Sequence, residues 1–342
     1  MTKRKFQVVT IGGATRDITF RTDDGELIDT PHLLTKQKLL AFEYGAKIIS
    51  RQCHYTLGGG GTNAAVGLTR LGLKVASFVN VGSDNLGGQV IKNLQEHKIN
   101  TSLVKRDKKA MTGFSLLVIS GQAKDHVAFL YRGANDNISI EPKDIKKFST
   151  DWFYITSLSG LHWPKLMKEI IEAKKKKIIK IGWNPGETQL KAGKKGLIAL
   201  IKETDVFILN KDETIELILS DPKLPSKIKK DTRKINNVNF LIKRLHSWGP
   251  KIVVLTDGKK GAYAYDGEKI YFSEILDTPV KDTTGAGDCF GSSFLAGLIL
   301  FHDDIDKAIK LGIVNTSYLV QKVGAQEGLM NKQQIKKHFK KK

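Results

Sequence analysis

The sequence contains little cysteine and no long apolar run. Only two of its 342 residues are cysteines, Cys53 and Cys289, which is too few for a disulfide framework or a cysteine-rich metal cluster. No stretch reaches the roughly 18 consecutive apolar residues that a membrane span needs, and the opening Met-Thr-Lys-Arg-Lys lacks the apolar core of a signal peptide. We therefore expect reduced and buried thiols, no membrane partner and a cytoplasmic location.

Several common nucleotide-binding signatures are absent as well. The sequence has no GxxxxGK[ST] motif, no complete GxGxxG motif and no His-Arg-Asp of protein kinases. Each of these motifs supplies the phosphate-binding or catalytic loop of its class. Their absence therefore argues against P-loop ATPases, nicotinamide-dependent dehydrogenases and protein kinases.

Acidic residues are few relative to basic ones. The chain has 35 Asp and Glu against 56 Lys and Arg, a formal net charge of +21, and such a balance usually suggests nucleic-acid binding. Here the lysines are scattered, and short runs such as Lys174–Lys177 carry no interleaved aromatic residues. A solvated, lysine-rich surface that also attracts a nucleotide is the favoured interpretation, and we expect no nucleic-acid partner.

Apolar segments of two kinds alternate along the chain. Short β-branched runs, such as 6–11, 178–183 and 252–255, are separated by segments with helical periodicity. Such alternation is typical of crossover units with mostly parallel strands, so we predict an α/β fold: a three-layer sandwich with a mostly parallel central sheet, in a single domain over residues 1–342. Further strands are predicted over 74–81, 152–156 and 206–209, and helices over 64–71, 164–174, 190–202 and 212–219.

Two parts of the chain are predicted to form a small β lid. Residues from about 16 to 56 are polar and weakly patterned. The apolar runs 112–120 and 127–131 are typical of a hairpin, within a second segment of about 108–132. A lid of this kind would exclude water from a site beneath it.

The stretch Asp282-Thr-Thr-Gly-Ala-Gly-Asp288 leads from a loop of small residues into an apolar helix. At such a helix start, the backbone N–H groups of Gly285, Ala286 and Gly287 can surround an anion, helped by the helix dipole. A carboxylate beside that anion cradle can take a proton from a hydroxyl that attacks a phosphoryl group. A tight turn with Asp288 as a helix cap is the structural alternative. The combination favours phosphoryl transfer to an alcohol.

A second glycine-rich stretch, Leu57–Asn63, precedes a short apolar helix. Its glycines would let a ligand approach the backbone, and Asn63 offers both a donor and an acceptor to a polyol. A flexible loop capped by Thr62 is the alternative. Asp17 follows the first strand, where ligands of parallel sheets bind, although an Asp in a simple turn would look the same.

Both stretches resemble signatures of one family. Gly-Gly-x-Gly-x-Asn-x-Ala, followed by Arg70-Leu-Gly72, is similar to the N-terminal signature of the ribokinase-like (PfkB) carbohydrate kinases, and the Asp288 stretch is similar to their C-terminal signature. The resemblance extends from about residue 6 to residue 328. It implies a ribokinase-like fold in which Asp288 is the general base and Gly285, Ala286 and Gly287 hold the phosphoryl group. The sugar-binding residues that it implies are Asp17, Gly59, Gly60 and Asn63.

The same resemblance implies sites for the nucleotide and for cations. An Asn-x-x-Glu pattern at Asn210 and Glu213 implies phosphate binding and Mg²⁺ held through water, although the two residues also fit a helix capping box. The remaining implied residues are Thr256, Gly258 and Gly324 for ATP, and Asp282 and Thr284 for a monovalent cation such as K⁺.

Three functions stay open on the sequence. We favour an ATP- and magnesium-dependent kinase that phosphorylates a primary hydroxyl of a small sugar or sugar-like molecule. The first alternative is a nucleoside kinase of the same superfamily, whose lid would stack the base on an aromatic ring; the candidates are Phe20, Phe42, Tyr44 and Phe114. The second is a catalytically silent relative that binds a ligand or nucleic acid. We also expect a homodimer joined through the lid.

The acceptor is not defined by the sequence. Ser157-Leu-Ser159 lacks the Glu that contacts sugar in the ribose-specific branch of the family, so ribose is in doubt. Arg132 would suit an acidic or phosphorylated sugar, or an ion pair with a surface carboxylate. Both interpretations of Arg132 fit its position just before Gly133-Ala-Asn135.

Overall fold

The structure is a computed structural model that describes residues 4–29, 38–121 and 127–339. Its strands are β1 (Arg4–Ile11), β2 (Thr15–Thr22), β3 (Glu26–Asp29), β4 (Lys38–Ala41), β5 (Gln52–Gly58), β6 (Val75–Phe78), β7 (Asn80–Gly82), β8 (Lys105–Asp107), β9 (Gly113–Ser120), β10 (Val127–Tyr131), β11 (Phe148–Ile155), β12 (Lys180–Trp183), β13 (Val206–Asn210), β14 (Ile252–Thr256), β15 (Ala262–Tyr265) and β16 (Ile270–Ser273). Its α-helices are α1 (Gly60–Arg70), α2 (Asn85–Glu96), α3 (Pro142–Lys146), α4 (Trp163–Lys177), α5 (Glu187–Leu190), α6 (Gly193–Ile201), α7 (Lys211–Leu219), α8 (Ser226–Lys230), α9 (Thr232–Ile235), α10 (Val238–His246), α11 (Ala286–Leu300), α12 (Ile305–Leu319) and α13 (Lys332–Phe339).

The central sheet has eight strands in the order β16-β15-β14-β13-β12-β11-β1-β6. The strands from β6 to β14 run parallel, and β15 and β16 add an antiparallel hairpin at one edge. Parallel neighbours require crossover connections, which the intervening helices supply. The predicted mostly parallel sheet is thus confirmed.

Helices cover both faces of this sheet and make the three layers. Successive strand residues point to opposite faces; in β11, Phe153 contributes to one apolar core and Tyr154 to the other. Helices α4, α6, α7 and α10 pack on the Phe153 side. Helices α1, α2, α11 and α12 pack on the Tyr154 side. Both faces of the strands are apolar because both are buried.

A smaller sheet is formed around β2, the strand that follows β1 in the chain. Its order is β10-β9-β2-β5, with β9 and β10 antiparallel as the hairpin prediction requires, and with β2 parallel to β9. The two strands β3 and β4 pair separately. Residues 30–37 of the predicted lid, and residues 122–126 of its hairpin loop, lie outside the described residues. Within the described residues, no helix is both long enough and apolar enough to cross a membrane.

Two predicted elements are divided in the structure. The strand predicted over 74–81 is two strands, because the chain leaves the central sheet after Phe78 and β7 pairs with β8 instead. The helix predicted over 190–202 is divided: α5 ends at Leu190 and α6 begins at Gly193, whose left-handed φ of 62° prevents one continuous right-handed helix through this point. Helices α8 to α10 and α13 were not anticipated by the periodicity. Of the two thiols predicted to be buried, Cys289 is buried, but Cys53 is exposed on β5.

Candidate active site

The candidate site begins where the first strand of the central sheet ends. Ile11, the last residue of β1, accepts a hydrogen bond of 2.9 Å from the backbone N–H of Thr156, which follows β11. Gly12 comes next, and a Cβ at that position would lie 2.0 Å from Thr156 Oγ1 and 3.0 Å from the backbone nitrogen of Gly61. Only glycine lets the start of α1 approach the strand ends this closely.

Gly59 and Gly60 place the start of α1 against the site. Gly59 has a φ of 92°, and a Cβ there would lie 2.5 Å from the carbonyl oxygen of Gly13. A Cβ on Gly60 would lie 2.6 Å from Thr156 Oγ1 and 3.0 Å from Asp288 Oδ1. Gly60 is therefore in the site, between the strand ends and the predicted base. Helix α1 begins at Gly60, four residues before the predicted start at Ala64.

The loop of small residues enters α11 through Gly285. This residue has a φ of 73°, and a Cβ on it would lie 2.4 Å from the Cβ of Ala325. Ala286 is the first residue of α11, and its N–H donates to the carbonyl of Thr283 at 3.1 Å. An anion would have to share or displace that bond. Space is open in front of Gly287, where a Cβ would meet nothing within 4 Å.

Asp288 lies in the first turn of α11 and bonds to α1. Its Oδ2 accepts a hydrogen bond of 2.9 Å from Nδ2 of Asn63, although 225 positions separate the two residues. Burial raises the pKa of the Asp288 carboxyl, and the negative charge of Asp17 adds to this effect, whereas the Asn63 hydrogen bond opposes it. The helix-cap alternative is not what is observed: Gly285 is the N-cap of α11.

Asp17 is buried on the face of the small sheet that carries hydroxyl side chains. Its Oδ1 accepts hydrogen bonds from Ser115 Oγ at 2.5 Å and from Thr15 Oγ1 at 3.2 Å. In the register of the sheet, Asp17 lies opposite Ser115 on one side and Thr56 on the other. Because paired residues of neighbouring strands share a face, Asp17 belongs to a row of polar groups.

The residues predicted to bind the nucleotide follow β13 and β14, further along the same edge of the sheet. Asn210 and Thr256 are register partners at the ends of these strands. Asn210 Oδ1 accepts from the N–H of Glu213 at 2.8 Å, and Glu213 Oε2 accepts from the N–H of Asn210 at 2.9 Å. The capping box that was the structural alternative is therefore present. Burial raises the pKa of Glu213, and its second carboxylate oxygen takes no part in the box.

Asp282 connects the anion loop to the turn at Gly324. Asp282 Oδ1 accepts from the N–H and the hydroxyl of Thr284, at 2.9 and 2.7 Å. Its Oδ2 accepts from the N–H of Gly324 at 2.8 Å. Each carboxylate oxygen thus already has a donor, so a monovalent cation that bound Asp282 directly would compete with these bonds.

Gly258, another residue expected to bind the nucleotide, begins a short 3₁₀ turn with a φ of 50°.

Comparison with known proteins decides the family. The model of the pfkB family carbohydrate kinases matches residues 27–332 of the chain. This protein belongs to the pfkB carbohydrate kinase family.

Individual relatives are similar over most of their length. The ATP-dependent 6-phosphofructokinase of Thermoanaerobacterium thermosaccharolyticum is 27% identical over 299 residues, which cover 84% of this chain and 86% of that enzyme. Among solved structures, Arabidopsis thaliana ribokinase complexed with ribose and ATP has a TM-score of 0.76 at 18% identity, covering 97% of this chain and 98% of that one. The nucleoside kinase of Methanocaldococcus jannaschii has a TM-score of 0.73 at 20% identity, covering 99% and 100%.

Two buried titratable side chains of this pfkB-family protein, Cys289 and Tyr154, lie near the predicted base. Burial raises the pKa of the Cys289 thiol to about 12, so that this cysteine stays protonated and is a poor nucleophile. Burial also raises the pKa of Tyr154, whose hydroxyl lies against Gly291 of α11. Neither group carries charge near neutral pH. Of the groups named here, Asp17 is therefore the one that places a charge near Asp288.

The part of the chain that the structure describes offers Mg²⁺ no cage made of side chains alone. Among the described residues, no group of three or more His, Cys, Asp or Glu side chains could hold a metal ion. Mg²⁺ in kinases is usually held by one or two carboxylates together with waters and substrate phosphates. Glu213, with one carboxylate oxygen outside the capping box, fits this arrangement.

Sequence reasoning missed three side chains of the site. Ser115 bonds to Asp17, Thr156 borders Gly12 and Gly60, and Gln326 donates to Asn63 Oδ1 at 2.9 Å. None belongs to a glycine-rich stretch, and their contacts depend on strand register and on the packing of the turn after α12. The neighbouring Gly324-Ala325 turn was the one sequence signal that pointed near Gln326.

The Gly287→Ala substitution tests the anion-binding role of Gly287 separately from its effect on helix stability. A Cβ at position 287 meets no protein atom within 4 Å, and alanine is favoured over glycine in helices by roughly 0.5–1 kcal/mol. We expect the Gly287→Ala protein to be as stable as the parent or more so. Its kcat should fall about tenfold or more, because the new methyl would occupy space next to the transferring phosphoryl group.

Gly88→Ala in α2 is the matched control, since a Cβ there also meets nothing within 4 Å. It should raise the unfolding temperature similarly without a change in kcat. Thermal unfolding and steady-state kinetics of both variants give the answer. Full activity of Gly287→Ala would show that Gly287 does not contact the transferring phosphoryl group.

Proposed function

We propose that this protein is an ATP-dependent kinase that phosphorylates a primary hydroxyl of a small sugar or sugar-like molecule. The observation that carries the proposal is the position of Asp288 at the start of α11, next to the small-residue loop and bonded to Asn63. Asp288 takes the proton of the acceptor hydroxyl, whose oxygen attacks the terminal phosphorus of ATP. The bond to the bridging oxygen breaks and ADP leaves with that electron pair.

The acceptor-binding side supports a polyol. Asp17, Ser115 and Thr56 form a polar row on one face of the small sheet, and each can bond to a sugar hydroxyl. Asn63 and the glycines at the start of α1 complete this side. We propose that Gly59 and Gly60 act through their backbone, because they leave room where side chains would collide.

The aromatic candidates for stacking a nucleoside base lie elsewhere. In the strand alternation, Phe20 and Phe114 belong to the face opposite Asp17, and the Phe114 ring packs on Tyr131 at a centroid distance of 5.2 Å. The side chain of Tyr44 is fully exposed. The ring of Phe42 lies against Gly25. This placement favours a sugar acceptor over a nucleoside.

The nucleotide would lie along the carboxyl edge of the sheet. Strands β1 and β13 are three spacings apart in the sheet order, which is roughly 14 Å and leaves room for an extended nucleotide. In the proposal Asn210, Thr256 and Gly258 bind the phosphates, and Glu213 holds Mg²⁺ through water. Gly324, which the resemblance assigns to the nucleotide, lies against Thr56 on the acceptor side, where a Cβ on Gly324 would be 2.7 Å from Thr56 Cγ2. The bound metal would neutralise charge on the phosphates.

Other parts of the prediction stay predictions. These are a monovalent cation beside Asp282 and Thr284, a homodimer joined through the lid and a cytoplasmic location. The exposed side chains of β10, among them Phe129 and Leu130, are compatible with a lid interface. Potassium dependence of kcat and the mass in solution would test the first two.

An acceptor panel tests the proposed function. Purified protein is incubated with ATP and Mg²⁺, and ADP formation is measured with pentoses, hexoses, sugar acids, sugar phosphates and nucleosides. We expect acceptor-dependent ADP formation with one class of sugar. Phosphorylated and acidic sugars belong in the panel because Arg132, just before Gly133-Ala-Asn135, would suit such an acceptor. Turnover with nucleosides alone would favour the alternative acceptor, and no turnover with any acceptor would contradict the kinase.

A further inference from the structure

A buried chain of side-chain hydrogen bonds extends from the predicted base to the turn after α12. Gln326 Nε2 donates to Asn63 Oδ1 at 2.9 Å, and Asn63 Nδ2 donates to Asp288 Oδ2 at 2.9 Å. Gln326 is 7% exposed and Asn63 is 6% exposed, so water has little access to either amide. The two bonds have the same direction, from Gln326 towards the carboxylate.

This direction determines which end of the Asn63 amide faces Asp288. An amide has a donor end and an acceptor end of nearly the same shape. Because Gln326 offers a donor, the Asn63 oxygen turns towards Gln326 and the Asn63 NH₂ group turns towards the carboxylate. The reverse orientation would bring the amide oxygen against an ionised Asp288, which is unfavourable.

The position of Gln326 is itself set by the anion loop. Gly324, two residues earlier, donates its N–H to Asp282 Oδ2 at 2.8 Å. Ala325 packs so closely on Gly285 that a Cβ on Gly285 would lie 2.4 Å from its Cβ. The turn that carries Gln326 therefore contacts the loop before α11 at two points, one polar and one apolar.

We propose that Gln326 is a positioning residue: it orients the amide of Asn63 so that its NH₂ group stabilises the ionised form of Asp288. The role as base rests on the proposed function, whereas the orientation of Asn63 does not. Gln326 does not touch the acceptor in this inference. It acts through Asn63, and its effect is on the protonation equilibrium of Asp288.

The titratable groups around Asp288 in the described ranges are one charged carboxylate and two neutral side chains. From β2, Asp17 contributes a negative charge; from β11 and α11, Tyr154 and Cys289 contribute neutral groups. The Asn63 bond is the contact that favours the ionised carboxylate. Losing it raises the pKa of Asp288. The ionised fraction at any given pH then falls, and the acidic limb of the activity profile moves to higher pH.

Two substitutions distinguish orientation from charge. Gln326→Leu removes the donor without adding charge, and Gln326→Glu replaces the donor by acceptors that would draw the Asn63 NH₂ group away from Asp288. Gln326 borders a cavity of about 220 Å³, so both side chains fit. Gln321→Leu and Gln321→Glu are matched controls. Gln321 follows α12, and its Nε2 donates to the carbonyl of Ser317 at 2.8 Å, four residues earlier in the chain.

The titration of Asp288 is measured directly, independent of turnover. Protein labelled with ¹³C at the Asp side-chain carboxyl is titrated by NMR, with the signal of Asp288 assigned by its loss in Asp288→Asn. We expect the midpoint to rise by about 0.5–1 pH unit in Gln326→Leu, the order expected for one lost hydrogen bond to a carboxylate, and by at least as much in Gln326→Glu. The Gln321 variants should titrate like the parent.

The outcomes separate this inference from the kinase proposal. Unchanged midpoints in both Gln326 variants would overturn the positioning role. A rise in Gln326→Glu alone would overturn it too, because the added negative charge is enough to explain such a rise. A rise in both variants together with a parent protein that phosphorylates no acceptor would support the orientation of Asn63 while refuting the kinase. If the parent is active, the acidic limb of kcat should move with the NMR midpoint.

Discussion

Asp288→Asn is expected to lower kcat by a factor of about 10² to 10⁴, the usual contribution of a general base. Asparagine has nearly the shape of aspartate, and its side-chain oxygen can still accept the hydrogen bond from Asn63. The geometry of the site is therefore retained while the proton acceptor is lost. Steady-state kinetics with the acceptor found in the panel, and calorimetric titration with ATP, measure the two consequences.

ATP binding should be nearly unchanged in Asp288→Asn, because the substitution removes no proposed phosphate contact. Asp303→Asn is a suitable control, since Asp303 forms an exposed ion pair with Lys180 at 3.3 Å. Its kcat should equal that of the parent. An Asp288→Asn protein with undiminished kcat would refute the assignment of the base.

The pKa of Asp288 also predicts the pH dependence of the parent enzyme. A base must be ionised, and burial raises the pKa of Asp288 above the value of about 3.9 of a free Asp. In a profile of kcat against pH, the decline on the acidic side should therefore occur at a higher pH than the titration of a free Asp.

Asp205→Ala is expected to cost about 3–5 kcal/mol of unfolding free energy, the range for removing one partner of a buried ion pair. The Asp205 side chain is 5% exposed and accepts from Lys174 Nζ at 2.7 Å and Lys251 Nζ at 2.8 Å. It also accepts from the N–H of Ile181 at 2.8 Å, at the start of β12. The alanine variant leaves the mostly buried Lys174 ammonium without a counter-charge. Urea unfolding measures the loss.

The destabilisation should depend on pH with a definite sign. Burial acts to raise the pKa of Asp205, but the hydrogen bonds from Lys174, Lys251 and Ile181 outweigh it, so that the folded-state pKa is below the unfolded value. The contribution of the carboxylate to stability is thus complete above the unfolded value of about 3.9 and is lost as the pH falls through the lower folded value. The difference between parent and variant should therefore narrow below about pH 4.

Asp303→Asn is the matched control for Asp205→Ala, because asparagine removes the charge and, unlike alanine, tolerates the left-handed backbone of Asp303, whose φ is 64°. Its ion pair with Lys180 is exposed, with 47% and 65% of the two side chains accessible, and such pairs contribute about 0–1 kcal/mol. Equal losses in the two variants would show that burial of the Asp205 cluster does not strengthen it. The exposed pair should also respond to salt, whereas the buried cluster should respond less.

Local features of the site could be predicted from the sequence because their physics is local. The anion loop before α11 depends on consecutive small residues, and Gly285 indeed has the left-handed φ that such a loop requires. The capping box of Asn210 and Glu213 depends on residues three positions apart. The mostly parallel sheet followed from the alternation of strands and helices. In each case neighbours along the chain determine the backbone.

The tertiary structure alone decided which of these local features meet. The bonds from Gln326 to Asn63 and from Asn63 to Asp288 cross 263 and 225 positions of the chain, and Asp17 meets Ser115 across 98. Such contacts depend on the register of the small sheet and on the docking of two helix ends at one edge of the large one. Register and docking cannot be predicted from residue type and spacing, because the chain contains many residues of the same chemistry that could serve as partners. The sequence therefore determined the chemistry of the groups, and the packing of distant segments decided their arrangement.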